Sequence, residues 1–266
     1  MSSEGERQAS GTLPNAHSPG VGMDPMNGPE PSQPMPASSR THRSLPSLLA
    51  LLFAFVLVLA GLLFIPAGRL DWLQAWLFVF AYTAFGVFYG AWTLTHDPSQ
   101  LDERMQVGAN TKGWDMFILT SYTLLLIGML ILCGLDGGRF HWAPVPLGLQ
   151  ALGWLVSLLA AVLIWWTSSV NTFMSRTVRI QEERGQHVIT GGPYALVRHP
   201  MYLGLIAFMI GIPLILNSGW ALVLAGLIAV LITVRTALED RTLQQELPGY
   251  SEYAQHVRYR LFPWVW

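Results

Sequence analysis

Six long apolar runs, separated by short polar connections, constrain the fold of this 266-residue chain more than any other feature. A helix needs about 20 apolar residues to cross the hydrocarbon core of a bilayer, which is about 30 Å thick. The runs therefore predict an all-α, multi-pass transmembrane helical bundle of about six spans. They extend over Leu45 to Pro66, Trp72 to Thr95, Trp114 to Leu135, Leu147 to Val170, Met201 to Leu216 and Trp220 to Leu238.

The last two runs are joined by only three residues, Asn217-Ser218-Gly219. Such a short connection predicts a tight C-terminal helical hairpin. The fifth run is also the shortest, so two re-entrant halves remain an alternative to two full spans.

The first 44 residues differ in composition from the rest of the chain. Seven prolines lie between Pro14 and Pro36, with Gly, Ser and Asn among them. A segment with so little apolar surface does not offset the entropy cost of ordering its backbone. We predict a disordered Pro/Gly/Ser-rich cytoplasmic tail over residues 1–44 and a transmembrane domain over residues 45–266.

The charge and cysteine content exclude several classes of protein. Only 12% of the residues are charged, against roughly 25% in a soluble domain. The net charge of -1 offers no basic excess to neutralise a nucleic-acid backbone, so we expect no nucleic-acid partner. The single cysteine, Cys133, cannot form an intramolecular disulfide. No set of His, Cys and carboxylate residues has metal-ligand spacing, so we expect no metal site.

The 15 basic residues are distributed unevenly between the two membrane sides. With six spans both termini lie on one side, and 13 of the 15 fall there; only Arg69 and Arg139 fall on the other. Because basic residues accumulate in cytoplasmic loops, we place both termini and the connection over residues 171–200 in the cytoplasm. A single lysine among fourteen arginines points towards a GC-rich genome. We expect a bacterial inner membrane.

Two polar clusters flank the predicted hairpin on its cytoplasmic side. Pro200 stands where a first helical residue is expected, so Arg198 and His199 lie at the N-terminal mouth of span five. Unsatisfied backbone N–H groups at such a mouth favour anions. Arg235 and Glu239 are four residues apart and share one face of span six. Because the hairpin is short, we expect the two clusters to face each other.

Three motifs carry a resemblance to a known family. They are Gly-Pro-Tyr-x-x-x-Arg-His-Pro-x-Tyr-x-Gly from Gly192 to Gly204, an acidic pair after the hairpin, and Gly-x-x-x-Tyr from Gly249 to Tyr253. From about Arg176 to the C-terminus the chain resembles the isoprenylcysteine carboxyl methyltransferase family of integral membrane methyltransferases, which is related to the phospholipid methyltransferases. The acidic pair, usually Glu-Glu in that family, is Glu239-Asp240 here.

This resemblance implies an S-adenosylmethionine site within about residues 176–266, built without a Rossmann domain. Arg235 matches the position that holds the acceptor carboxylate, and Arg235 and Glu239 are the implied catalytic residues. The implied cofactor contacts are Gln186, His187, Val188, Ile189, Tyr194, His199, Pro200, Met201, Tyr202 and Glu239, with Arg179 as a less securely aligned addition.

The chemistry of these side chains suits methyl transfer. Glu239 and the tyrosines offer an anion and aromatic faces to the positive sulfonium of the cofactor. The cofactor's carboxylate would sit against His199 and the N-terminus of span five. A carboxylate acceptor with a pKa near 3.5 is ionised at neutral pH, so the transfer needs alignment and no general base.

We therefore favour O-methylation of the carboxylate of a lipophilic substrate, such as an isoprenylcysteine, that enters from the bilayer. Phospholipid N-methylation is one alternative, although Arg235 would repel a protonated amine and a base would be needed. A non-catalytic membrane protein of the same fold, such as an assembly factor or small transporter, is the other. Against transport, we expect no buried Asp, Glu, Lys or Arg in the first four spans. The sequence leaves the oligomeric state and the acceptor's identity open.

Overall fold

The computed structural model describes residues 45–98 and 112–266, so the predicted tail lies outside the described residues. Within these two ranges every regular element is helical, which confirms the all-α prediction. The α-helices are α1 (Leu45–Ala67), α2 (Leu73–His96), α3 (Gly113–Cys133), α4 (Leu147–Val170), α5 (Pro200–Ile215), α6 (Ala221–Glu246) and α7 (Tyr250–His256). A π-helical turn, Gly134–Phe140, extends α3, and the 3-10 turns Glu182–Arg184 and Gly192–Ala195 lie between α4 and α5.

Five helices, α1 to α4 and α6, are long and apolar enough to cross a membrane. The protein is thus an integral, multi-pass membrane protein. The fifth predicted run forms α5, whose 16 residues reach only about 24 Å and fall short of the roughly 30 Å hydrocarbon core. The predicted hairpin of α5 and α6 is confirmed. Since α6 alone has 26 residues, the pair is not two re-entrant halves.

The long helices have apolar outer faces and a shared apolar core. Phe53 on α1, Phe80 on α2 and Leu158 on α4 are largely exposed on the outside of the bundle, as lipid-facing side chains are. The core lies between α1, α2, α3, α5 and α6. Its best-buried large side chains include Leu63, Met129, Ile212, Ile215, Leu216 and Ile228.

Small residues let the short α5 pack closely against α4. A Cβ atom added at Gly211 of α5 would lie 2.1 Å from the Ser157 Oγ of α4, and one added at Gly204 would lie 2.9 Å from the Ile164 Cγ1. Close backbone approach of this kind is the usual basis of helix association in membranes. The contact fixes the position of α5 and, with it, of the residues at its N-terminus.

The turn of the hairpin is held by a buried carboxylate at the end of α3. Asp136 is completely buried, and its oxygens accept hydrogen bonds from the Ser218 hydroxyl at 2.7 Å, the Ala143 N–H at 2.9 Å and the Trp220 N–H at 3.1 Å. Gly137 allows the contact, because a Cβ atom there would lie 2.0 Å from the Leu216 carbonyl oxygen. Asp136 therefore ties the hairpin turn to α3 and to the loop that follows it.

Replacing Asp136 with Ala should weaken the fold. The change removes the acceptor of three hydrogen bonds, one of them from the buried Ser218 hydroxyl. Because an unsatisfied buried donor costs about 1–3 kcal/mol, we expect the free energy of unfolding to fall by about 3 kcal/mol. Thermal unfolding of the detergent-solubilised protein measures this loss. Asp71→Ala is the control, because Asp71 is exposed and forms a surface ion pair with Arg69. Equal melting temperatures for the Asp136→Ala and Asp71→Ala proteins would contradict the role of Asp136.

Candidate active site

A cavity of about 520 Å³ lies between α2, α3, α4, α5, α6 and the irregular loop over residues 171–199. Its volume falls within the roughly 300–1,000 Å³ typical of small-molecule sites. The end of the cavity within the helices is lined by apolar and aromatic side chains, among them Phe85, Leu119, Tyr122, Ile164 and Leu205. The other end is lined by the polar loop and by charged residues of α6.

Nearly every site residue predicted from the sequence lines this one cavity. Pro200 does not; it is the first residue of α5, where it starts the helix and is buried. The cavity gives the others a shared location, and their individual roles stay predictions. The residues that line it are Arg179, Gln186, His187, Val188, Ile189, Tyr194, His199, Met201, Tyr202, Arg235 and Glu239.

Arg235 is held by an ion pair with Asp115 that its position in the sequence does not predict. Its Nε donates to the Asp115 Oδ1 at 2.8 Å, and its Nη2 donates to the Asp115 Oδ2 at 3.2 Å. The same Nη2 also donates to the carbonyl oxygen of Arg176 at 2.8 Å. The expectation that the first four spans hold no buried charge is wrong, because Asp115 lies in α3 and is completely buried.

Tyr202 connects Arg235 with Glu239. The Tyr202 hydroxyl donates a hydrogen bond to the Glu239 Oε2, and the Arg235 guanidinium carbon lies 5.4 Å from the centre of the Tyr202 ring. The other carboxylate oxygen of Glu239 accepts no hydrogen bond from the residues that the structure describes. Glu239 therefore brings a partly uncommitted negative charge to the cavity wall.

Asp240, next to Glu239, has a different environment. Its side chain is 1% exposed and lies on another face of α6, where its carboxylate contacts two arginines and three further hydrogen-bond donors. It is thus the centre of a buried polar cluster that includes the Arg198 and His199 predicted at the mouth of α5. The contacts are Arg198 Nη1 (3.3 Å), His199 Nε2 (3.3 Å), Tyr250 hydroxyl (3.0 Å), Gln244 Nε2 (2.7 Å) and Arg260 Nε (2.8 Å).

The C-terminal segment covers the mouth of α5. The backbone N–H groups of Arg198 and His199 donate to the carbonyl oxygens of Tyr259 and Arg260, each at 2.9 Å. The expectation of unsatisfied N–H groups is therefore wrong for these two residues, because residues 259–260 supply their acceptors. The His199 ring still lines the cavity while one of its nitrogens faces Asp240.

Gln181 organises the loop that carries the predicted cofactor contacts. It is 1% exposed; its side-chain amide donates to the Phe173 carbonyl at 2.6 Å, and its backbone N–H donates to the Gln186 Oε1 at 2.7 Å. The Arg184 Nη1 donates to its Oε1 at 2.6 Å. These bonds close the turn that presents residues 186–189 to the cavity.

Helix α7 also contacts the loop over residues 171–199. The Tyr253 hydroxyl donates to the Tyr194 carbonyl at 2.7 Å, and the Asn171 amide donates to the Tyr194 hydroxyl at 2.7 Å. Burial, together with the Asp240 carboxylate, raises the pKa of Tyr250 well above its usual value, so its hydroxyl keeps the proton that it donates to Asp240. Both tyrosines of α7 are buried and line the cavity.

Asp115 and Gln181 are two candidate site residues that the sequence motifs do not predict. A signal for Asp115 was present, because an ionisable residue inside an apolar span is costly unless it is paired. Its partner lies 120 positions away, so the spacing along the chain gives no indication of the pair. Gln181 lies in a polar loop and offers no comparable signal.

Comparison with known families gives a match that covers part of this site. Residues 149–248 match a family model described as phospholipid methyltransferase. The match runs from α4 to the residues just after α6 and so includes the loop, the hairpin, Arg235 and Glu239. No curated protein matches the chain significantly. Over residues 149–248 this match confirms the predicted resemblance to the isoprenylcysteine and phospholipid methyltransferase group of membrane methyltransferases.

The adjacent carboxylates of α6 should respond differently to loss of charge. Asp240→Asn leaves Arg198 and Arg260 beside a neutral side chain in a buried site, and such a loss costs about 3 kcal/mol or more. Glu239→Gln keeps an oxygen that accepts from Tyr202, so its melting temperature should stay close to wild type. Thermal unfolding of both variants in detergent tests this difference. Equal melting temperatures would contradict the role assigned to Asp240.

Proposed function

We propose that the protein is an S-adenosylmethionine-dependent methyltransferase of a lipophilic acceptor, because residues 149–248 match the phospholipid methyltransferase family model. We further propose that it O-methylates the acceptor's carboxylate, as in an isoprenylcysteine. The observation that carries the proposal is the continuity of one cavity from the polar loop to an apolar chamber between the helices. A polar cofactor and the head of a lipophilic molecule can meet there.

The polar end of the cavity fits the proposed cofactor. S-adenosylmethionine supplies a methyl group on a positively charged sulfonium. Glu239 offers a carboxylate with one uncommitted oxygen, and Tyr202, Tyr194 and Tyr250 offer aromatic groups nearby in the lining. Anions and aromatic faces are the protein groups that stabilise such a cation. The backbone and side chains of residues 186–189 would hold the polar parts of the molecule.

Arg235 is the candidate for holding the acceptor carboxylate. Its Nε and Nη2 are occupied by Asp115 and the Arg176 carbonyl, whereas its Nη1 donates to none of the described residues. An ionised carboxylate would accept from this nitrogen. Because a carboxylate is deprotonated at neutral pH, the protein has to align the acceptor and exclude water, and it needs no general base.

The apolar end of the cavity suits a hydrocarbon tail. Phe85 and Tyr89 of α2, Leu119 of α3 and Ile164 of α4 line it. These helices are among those long and apolar enough to cross the membrane, and we propose that the tail enters between them from the bilayer. We place the protein in a bacterial inner membrane with both termini and the polar end of the cavity in the cytoplasm.

Phospholipid N-methylation is the second candidate, and one observation favours it. Asp115 offsets the charge of Arg235, so together with Glu239 the three side chains carry a net charge of -1. The repulsion of an amine headgroup by Arg235 is thereby reduced. Glu239 is the carboxylate that would then accept a proton or contact the headgroup.

A direct assay separates these candidates. Purified protein receives methyl-labelled S-adenosylmethionine and one of three acceptors: a farnesyl-cysteine analogue, phosphatidylethanolamine or a bacterial membrane lipid extract. We expect cofactor binding and label transfer to the farnesyl-cysteine analogue. Transfer to phosphatidylethanolamine alone would replace the proposal with N-methylation. Absence of cofactor binding would support a non-catalytic protein.

Arg235→Lys tests the acceptor site without removing the buried partner of Asp115. Lysine keeps the charge but loses the planar fork of donors. We expect kcat/KM for the carboxylate acceptor to fall about 100-fold, the loss typical of a misplaced reactant, with little change in cofactor affinity. Steady-state kinetics and equilibrium binding of labelled cofactor measure the two effects. Loss of cofactor binding with acceptor KM unchanged would contradict this assignment.

A further inference from the structure

Asp115 is a buried carboxylate outside the cavity whose function the proposed reaction does not explain. It lies in the first turn of α3, is completely buried, and does not line the cavity. Burying a carboxylate costs several kcal/mol unless its oxygens are satisfied. Its placement beside the acceptor end of the cavity therefore calls for a specific partner.

Both oxygens of Asp115 are occupied, and they join three parts of the molecule. Oδ1 accepts from the Arg235 Nε of α6, and Oδ2 accepts from the Arg235 Nη2 and, at 2.8 Å, from the backbone N–H of Val178. The Arg235 Nη2 also bonds to the Arg176 carbonyl. Helix α3, helix α6 and the segment over residues 176–178 thus meet at this carboxylate.

These contacts determine which edge of the Arg235 guanidinium is available. An arginine has five N–H groups in a rigid planar fork. The Nε–H group donates to Asp115, and the Nη2 group donates to Asp115 and to the Arg176 carbonyl. The two N–H groups of Nη1 are therefore left for a ligand. Without Asp115 the long Arg235 side chain would lose the ion pair that holds its guanidinium plane beside the Tyr202 ring.

We propose that Asp115 is a positioning residue that fixes Arg235 with its Nη1 towards the carboxylate of the acceptor. The inference rests on the proposed carboxylate methylation and adds to it a residue outside the matched family domain. Asp115 touches neither cofactor nor acceptor in this account. It acts through Arg235, and its effect should appear in acceptor binding and alignment.

The matched control is Asp136, the other completely buried aspartate of the α3 segment. It accepts three hydrogen bonds, as Asp115 does, but its partners belong to the hairpin turn, and it does not line the cavity. Asp115→Asn and Asp136→Asn both remove a buried charge while keeping the side-chain volume. A purely structural role predicts the same kinetic pattern for both.

The experiment measures acceptor KM, cofactor KM and kcat for wild type and both variants with the farnesyl-cysteine analogue, together with their melting temperatures. We expect Asp115→Asn to lower kcat/KM for the acceptor by about 100-fold, mainly through acceptor KM, with cofactor KM within about twofold of wild type. Asp136→Asn should lower the melting temperature and leave both KM values unchanged. If Asp115 acts through Arg235, Asp115→Asn should lower kcat/KM for the acceptor by a smaller factor in an Arg235→Lys background than in wild type.

Three outcomes would overturn the role of Asp115, and they differ in whether the proposed function fails as well. If wild type methylates the carboxylate and Asp115→Asn has the wild-type acceptor KM, the positioning role fails while the proposed function stands. If Asp115→Asn and Asp136→Asn change the kinetics in parallel, Asp115 is structural. If wild type binds the cofactor but methylates no carboxylate, the proposed function fails, and the role of Asp115 fails with it.

Discussion

A charge buried near lipid has to be paired, and in this protein the pairing of three buried aspartates joins distant segments of the chain. Asp115, Asp136 and Asp240 are each completely buried. Each accepts at least three hydrogen bonds, and each joins segments far apart in the chain. The helices of a membrane bundle have no hydrophobic driving force to associate, because lipid tails are as apolar as leucine side chains. The buried carboxylates therefore fix where α3, the hairpin and the C-terminal segment meet.

Neighbouring residues on α6 divide structural and chemical roles between two faces of the helix. Asp240 faces Arg198, Arg260 and Tyr250 and stabilises the cover over the mouth of α5. Glu239, one residue earlier, faces the cavity and keeps one oxygen uncommitted among the described residues. Consecutive residues of a helix point about 100° apart, so an acidic pair in sequence is not a pair in space. The cavity thus gains a negative charge without two carboxylates repelling each other.

Much of this architecture can be predicted from sequence, because lipid imposes simple rules. The lengths of the apolar runs predict α1 to α4 and α6, and the short connection after Leu216 predicts the hairpin. The π-helical extension of α3 is not predictable in this way, since it depends on Gly137 lying against the hairpin turn. The short α5 depends likewise on its close packing against α4. The motif residues gather at one cavity, whereas the pairing of Asp115 with Arg235 requires the tertiary fold.

Methyl transfer to a carboxylate is tested most directly by the chemistry of the bond that it forms. Membranes containing the protein are incubated with methyl-labelled S-adenosylmethionine, the lipophilic fraction is extracted, and the extract is treated with mild base. Methyl esters hydrolyse in base and release volatile labelled methanol, whereas methylated amines retain their label. We predict volatile label that depends on the protein and is lost in Arg235→Lys membranes. Label that stays with the lipid after base treatment would contradict carboxylate methylation.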